Sequence, residues 1–217
     1  MCFVAPKVKR ARRYDSARRQ AAAALRRAAV VDAARRRFVH DGFSGTTIAS
    51  IAADAGVSEE TVYKAFGNKV ALVRAIRDKA LAGEGAVHAE RRSDRLQASE
   101  HDPRAIVRGW GVLTMEVAPR VAPVLLLVRD AAASDAELAR LQEEMDASRL
   151  TRMTQNARTL LRGGHLRDGI TLDAAADVLW TYSSPELYEL LVIRRGWSIE
   201  RYGCFVADAM IAALLPP

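Results

Sequence analysis

The sequence predicts an all-α protein. Apolar residues recur at three- and four-residue spacing along most of its 217 residues. No alternating strand-type run of any length appears. Glycines, prolines and capping hydroxyls fall where helices would start and stop. The pattern suggests about ten helices, a short three-helix unit followed by a larger helical domain.

In chain order, residues 1–19 are rich in Arg and Ala and read as a basic flexible arm. From about Gln20 to His40, Leu25, Ala28, Ala29, Val31, Ala33, Phe38 and Val39 form an apolar stripe, which "DGFSGTT" then ends. Thr46 or Thr47 caps a second helix with Ile48, Ile51 and Ala52 on one face, and Gly56 closes it. Ser58 caps a third, with Val62, Ala65 and Phe66 inward. "GNK" opens a fourth, through Val70, Leu72, Val73, Ile76 and Ala80. Residues 83–102 are polar, with glycines and charges, and read as a helix end plus a mobile link. Pro103 starts a helix through Ile106, Val107, Trp110, Leu113 and Val117, and Pro119 and Pro123 bracket an expected break. Asp135 opens a long helix through Leu138, Leu141, Met145, Leu150, Met153, Ala157 and Leu160, stopped by Gly163 and Gly164. Three more follow: Leu172 to Tyr182, Ser184 to about Arg195, and Ser198 to just before Pro216.

Charge is unevenly placed. Twelve of the 33 Lys and Arg lie in the first 37 residues against only Asp15 and Asp32, whereas the rest of the chain is net acidic. A basic block beside a folded module attracts a polyanion: DNA, RNA or an anionic membrane. No run of roughly eighteen consecutive apolar residues exists, so a spanning helix is not expected. The leader lacks the apolar region of a secretory signal, and its basic pattern runs straight into a helix, unlike a transit peptide. Cys2 and Cys204 suggest neither a disulfide framework nor a paired metal site, so a reducing, cytoplasmic setting is expected.

The stretch "TIASIAADAGVSEETVYKAF", residues 47–66, places two short helices around one glycine. Two helices crossing steeply need a small residue at their contact, which Ala52 supplies. The turn needs a left-handed residue, which Gly56 supplies without a Cβ penalty. The second helix needs an apolar residue facing back, and Val62 is placed for it, with Ile51 and Val57 completing a miniature core. This is helix-turn-helix geometry, which leaves the outer face of the second helix free for a DNA major groove. Thr47 caps the first helix, where hydroxyl and N–H groups can also meet a phosphate. Lys64 is a candidate phosphate contact, and Ser58, Glu60 and Thr61 are candidates for base edges or nearby backbone. Glu59 is read as complementing the helix dipole.

The stretch "AARRRFVHDGFSGTTIASIAADAGVSEETVYKAFGNKVALV" resembles the DNA-binding domain of the tetracycline-repressor (TetR) family of transcriptional regulators, over residues 20–84. The resemblance implies that the Tyr63 hydroxyl binds phosphate and that Lys69 grips the DNA backbone. It implies that residues 85–217 form a helical regulatory and dimerisation domain, whose ligand changes the spacing of two reading heads and releases DNA.

In that larger domain, Trp110, Leu113, Met115, Met145, Met153, Trp180 and Tyr182 could line a cavity for an apolar, small-molecule effector. The last two helices could form a homodimer seam through Leu187, Leu190, Leu191, Tyr202, Phe205, Val206, Ala209, Met210 and Ala213, with intramolecular core as the rival reading. His40, His88, His101 and His165 are scattered without metal-ligand spacing. No phosphate loop or nucleophile motif is present, so no enzyme, cofactor or metal is expected. The leading expectation is a ligand-responsive repressor that binds a palindromic double-stranded DNA operator as a dimer. The alternative is a basic helical membrane-surface or protein-interaction module without sequence-specific DNA binding.

Overall fold

A computed structural model describes residues 9–83 and 87–217, with side chains from residue 18 onward. All regular structure among the described residues is helical. These residues form two compact units that part between Ile76 and Arg77, inside α4 and ahead of the boundary expected at residue 84.

The first unit holds α1 (Lys9–Gly45), α2 (Ile48–Ala55), α3 (Glu59–Phe66) and the start of α4 (Lys69–Ala82). The helix of α1 begins at Lys9, so helix replaces much of the segment expected as a flexible arm; residues 1–8 lie outside the described residues. Its backbone leaves helical geometry at Gly42 (φ 73°, ψ 172°), inside the expected stop signal. Val30, Val31, Ala33, Ala34 and Phe38 are the buried stripe of α1. Leu25 and Val39, expected inward, are exposed, because the true stripe steps from 30 and 31 to 34 and 38. Phe38 stacks on Phe43 with ring centroids 5.5 Å apart, and Val70, Leu72, Val73 and Ile76 of α4 are also buried.

The second unit contains the rest of α4, then α5 (Ala89–Ser99), α6 (Pro103–Ala132), α7 (Ala136–Arg162), α8 (Leu172–Tyr182), α9 (Pro185–Tyr188), a π-helical stretch (Glu189–Arg194) and α10 (Ile199–Leu214). Helices α6, α7, α8 and α10 pack around a core that includes Ile106, Trp110, Leu160, Leu179, Tyr202 and Leu214.

Two expectations are corrected here. The polar segment 83–102 contains α5, which polar contacts anchor rather than an apolar stripe. Arg92 is bidentate on Glu116, and the carboxylate of Asp94 accepts from Arg152 at 2.7 Å. The break expected at Pro119 and Pro123 is absent, since α6 runs through both. Each proline removes one backbone donor, but Val121, Ala122, Val124, Leu126 and Val128 are buried and hold the helix in place. Helix α6 is long and apolar enough, by length and composition, to cross a membrane. In this fold it packs against α5, α7, α9 and α10.

Where α6 crosses α10, Gly111 meets Gly203. A Cβ on Gly111 would lie 2.8 Å from the Gly203 carbonyl oxygen and 2.8 Å from the Ala207 Cβ, so only glycine allows this approach.

Candidate nucleic-acid interface and effector cavity

Within the first unit, Thr47 caps α2. Its hydroxyl accepts from the Ser50 N–H at 3.1 Å, and the Ser50 hydroxyl reaches the Thr47 N–H in return. Gly56 ends α2 in the left-handed region (φ 64°, ψ 36°), and its N–H reaches the carbonyls of Ala52 and Ala53. Val57 N–H also donates to Ala52 at 3.0 Å. Ser58 then caps α3, accepting from the Thr61 N–H at 3.2 Å. Ile51, Ala52 and Val62 are buried, which fixes the inner side of α3 against α2.

The outer side of α3 is open. Glu59, Glu60, Tyr63 and Lys64 are exposed, Tyr63 to 52%, so Tyr63 is not a packing residue. Ala65, expected inward, is exposed as well, while its carbonyl accepts from Arg27 of α1 at 2.8 Å. The Arg27 guanidinium also sits 4.1 Å from the centre of the Phe66 ring, so α1 clamps the end of α3. A second clamp joins α1 to α2, where Arg37 forks onto Asp54 at 2.7 and 2.8 Å. That contact holds the Asp54 carboxyl below the usual carboxylate range.

The candidate contacts differ in their surroundings. Thr47 and Ser58 are exposed caps whose hydroxyls already serve the helix. The Thr61 hydroxyl lies 2.9 Å from that of Ser58. Lys64 pairs with Glu60 at 2.7 Å across one turn. Lys69 is half-buried and donates to the carbonyls of Phe43 (2.7 Å) and Thr46 (2.9 Å), over the Phe43 ring. Its ammonium therefore holds the turn that presents Thr47, a positioning task that its motif did not reveal.

Within the second unit lies a cavity of about 220 Å³. Trp110 and Leu113 of α6 and Met145 and Met153 of α7 line it, as expected. Met115, Trp180 and Tyr182 do not. Met115 packs on Gly203, Trp180 lies beneath the Arg149 guanidinium at 4.4 Å, and Tyr182 stands edge-on to Phe205 at 6.4 Å. The spacing that suggested these three marks any buried helix face equally well.

Periodicity of apolar residues missed the polar part of the wall. Arg149, Arg152 and Asn156 of α7 line the cavity with Tyr188 and Tyr202. The signal was present: positions 138, 141, 145, 149, 152, 156 and 160 follow one inward stripe, and Arg, Arg and Asn interrupt it. Leu150, expected on that stripe, is instead exposed. Burial lowers the Arg149 pKa despite the nearby Asp146, and burial raises the phenols of Tyr188 and Tyr202.

The expected dimer seam divides in two. Tyr202, Val206 and Met210 are buried in this chain's own core, corrected here to intramolecular packing on one face of α10. Leu187, Leu191, Ala209 and Ala213 are half-buried, while Leu190 and Phe205 are exposed, as is Ile193 beside them in sequence. Among the described residues, no group of three or more His, Cys, Asp or Glu is placed to hold a metal ion.

Residues 30–76 match the family model described as bacterial regulatory proteins, tetR family. No curated protein matches the chain. Among solved structures, the chain is similar to the SmeT–triclosan complex, at 25% identity and TM-score 0.68 over 89% of this chain and 92% of that one. SmeT is described as the repressor of the Stenotrophomonas maltophilia multidrug efflux pump SmeDEF. The chain of this protein shares its fold with NalD, the secondary repressor of the MexAB-OprM pump in Pseudomonas aeruginosa (19% identity, TM-score 0.66, 88% of this chain and 97% of that one covered). It also shares it with the transcriptional regulator FadR of Bacillus subtilis in complex with stearoyl-CoA (17%, 0.69, 85% and 97%). The helix-turn-helix unit is thus matched by the tetR family model over residues 30–76, and the helical fold of these solved regulators is shared over most of the chain's length.

Proposed function

We propose that this chain is a ligand-responsive repressor that binds a palindromic DNA operator as a homodimer and releases it when a small molecule enters the second unit. One observation carries the DNA-binding part: α3 is pinned by buried Val62, while Glu59, Glu60, Tyr63 and Lys64 on its outer side stay open. Tyr63 and Lys64 reach phosphate, with Thr47 contributing at the N-terminus of α2. Ser58, Glu60 and Thr61 lie nearest the base edges, and Lys69 supports the turn behind them.

One recognition helix reads too few base pairs for a unique site, so two heads about 34–36 Å apart give the needed length. Leu190, Ile193 and Phe205 are exposed apolar residues suited to the seam. For the effector, two of the similar proteins were solved with triclosan and with stearoyl-CoA, and the cavity here is lined mainly by apolar side chains. Release requires a ligand that favours the conformation that does not bind DNA.

The test is a gel-retardation series using the DNA upstream of the protein's own gene, run beside anionic vesicles. Retardation of that fragment, but not of scrambled DNA, supports the proposal. Sedimentation with vesicles and no retardation overturns it in favour of a membrane-surface module.

A further inference from the structure

We propose that the effector carries a carboxylate on a compact apolar body, and that Arg149 and Arg152 receive it. This deepens the reading of the cavity as an effector site and rests on it.

Three buried donors in residues of the cavity wall, Arg149 Nε, Arg152 Nη2 and Trp110 Nε1, have no hydrogen-bond partner among the described residues. Folded proteins leave few such groups unmatched, and an arginine cannot escape by losing its proton. Each guanidinium does have an acid, but a partly exposed one, and Asp146 itself stands in the cavity wall. Arg152 pairs with Asp94, which is 61% exposed, and Arg149 pairs with Asp146, which is 42% exposed. The other carboxylate at the cavity, Glu90, is also exposed. Arg149 also donates to the Trp180 carbonyl and the Ser183 hydroxyl, both neutral, so the wall keeps positive charge and three unmatched N–H groups without a buried carboxylate to match them.

The remainder of the wall is apolar, including Leu113, Val121, Met145 and Leu179. An occupant must therefore bring acceptors at one end and hydrocarbon elsewhere. Size narrows the class further. A cavity of about 150 Å³ takes benzene, so 220 Å³ accommodates an apolar body a few carbons larger. A carboxylate suits the planar fork of arginine, which it can meet with two parallel hydrogen bonds.

The test uses three probes of equal length on the full chain: octanoate, octanol and octylamine, followed by calorimetry and by Trp fluorescence, to which Trp110 contributes from the wall. The expected result is that octanoate binds at least about tenfold more tightly than octanol, equivalent to about 1.4 kcal/mol, and that octylamine binds least. Arg152→Met should erase the preference, and Trp110→Phe, which removes only the indole donor, should reduce it. Octanol or octylamine binding as tightly as octanoate overturns the proposal, and so does a flat titration with all three. Gel retardation with the same preparation separates the two readings. Intact DNA binding without carboxylate preference removes this inference alone, whereas lost DNA binding with the preference intact removes the regulator.

Discussion

Replacing Gly56 by alanine is expected to destabilise the protein by about 1–2 kcal/mol, the usual cost of a left-handed backbone for a residue with a Cβ. The magnitude is clean because a Cβ at this position would meet no heavy atom within 4 Å. The effect therefore comes from the backbone at φ 64° rather than from a clash. The sign is the informative part. Where a glycine has ordinary right-handed geometry, Gly→Ala stabilises by about 0.4–1 kcal/mol, through the unfolded chain. Gly45 supplies an internal control, since its added Cβ would make only an ordinary contact with the Asp41 Cβ at 3.7 Å and its φ is not positive. Chemical denaturation of wild type, Gly56→Ala and Gly45→Ala should order Gly56→Ala lowest and Gly45→Ala at or above wild type. A neutral or stabilising Gly56→Ala would refute the turn geometry on which the reading head depends.

Other consequences can be measured on the same preparations. Glu60→Gln should release Lys64 from its 2.7 Å partner and raise affinity for DNA of any sequence, while Lys64→Ala should lower the salt slope of binding by about one unit; fluorescence anisotropy at several salt concentrations reads both. Gly111→Ala should destabilise the second unit more than Gly56→Ala does the first, because backbone atoms of α10 stand in the way; denaturation midpoints decide this. The Glu116 carboxyl is held below the usual carboxylate range, chiefly by its hydrogen bond from Arg92. Its folded pKa thus lies below its unfolded value, so its stabilisation is present above about pH 4.3 and lost as pH falls through the folded value. Glu116→Gln should accordingly flatten the acid limb of a stability–pH curve, and an unchanged limb would count against the pairing of Glu116 with Arg92 and with Arg120, whose guanidinium donates to it at 3.0 Å.

The reading head was legible because single residues carry its geometry. Gly56 must be left-handed, Ser58 and Thr47 must cap, and Val62 must face back; each requirement names its own residue type. The second unit offered no such markers. Tyr202, Val206 and Met210 follow one stripe of α10, and the same spacing serves a partner's surface or the chain's own core, so periodicity alone could not separate them. Helix α5 escaped notice because ion pairs and Gln97, which donates to Asn156 at 3.2 Å, hold it with only Ala89 and Leu96 as apolar support, too few to form a stripe. The prolines of α6 misled for a related reason: local preference disfavours helix at Pro119 and Pro123, and the burial of their neighbours overrides it.

The arginines of α7 require a different account from the rest of the core. A helix that only had to pack would continue the Leu138, Leu141, Met145 and Leu160 series through 149, 152 and 156. Burying a guanidinium there carries a desolvation cost that an exposed Asp94 offsets only in part. If stability were the purpose of Arg152, its removal would cost several kcal/mol, as when one member of a fully buried ion pair is lost. Asp94 is instead 61% exposed, so water can take over its solvation when the arginine is gone. Arg152→Met fills the same space with apolar atoms and is expected to be neutral or stabilising in urea denaturation, within about 1 kcal/mol of wild type. A loss of about 3 kcal/mol or more would make Arg152 a structural residue and remove the physical reason for assigning it to a ligand.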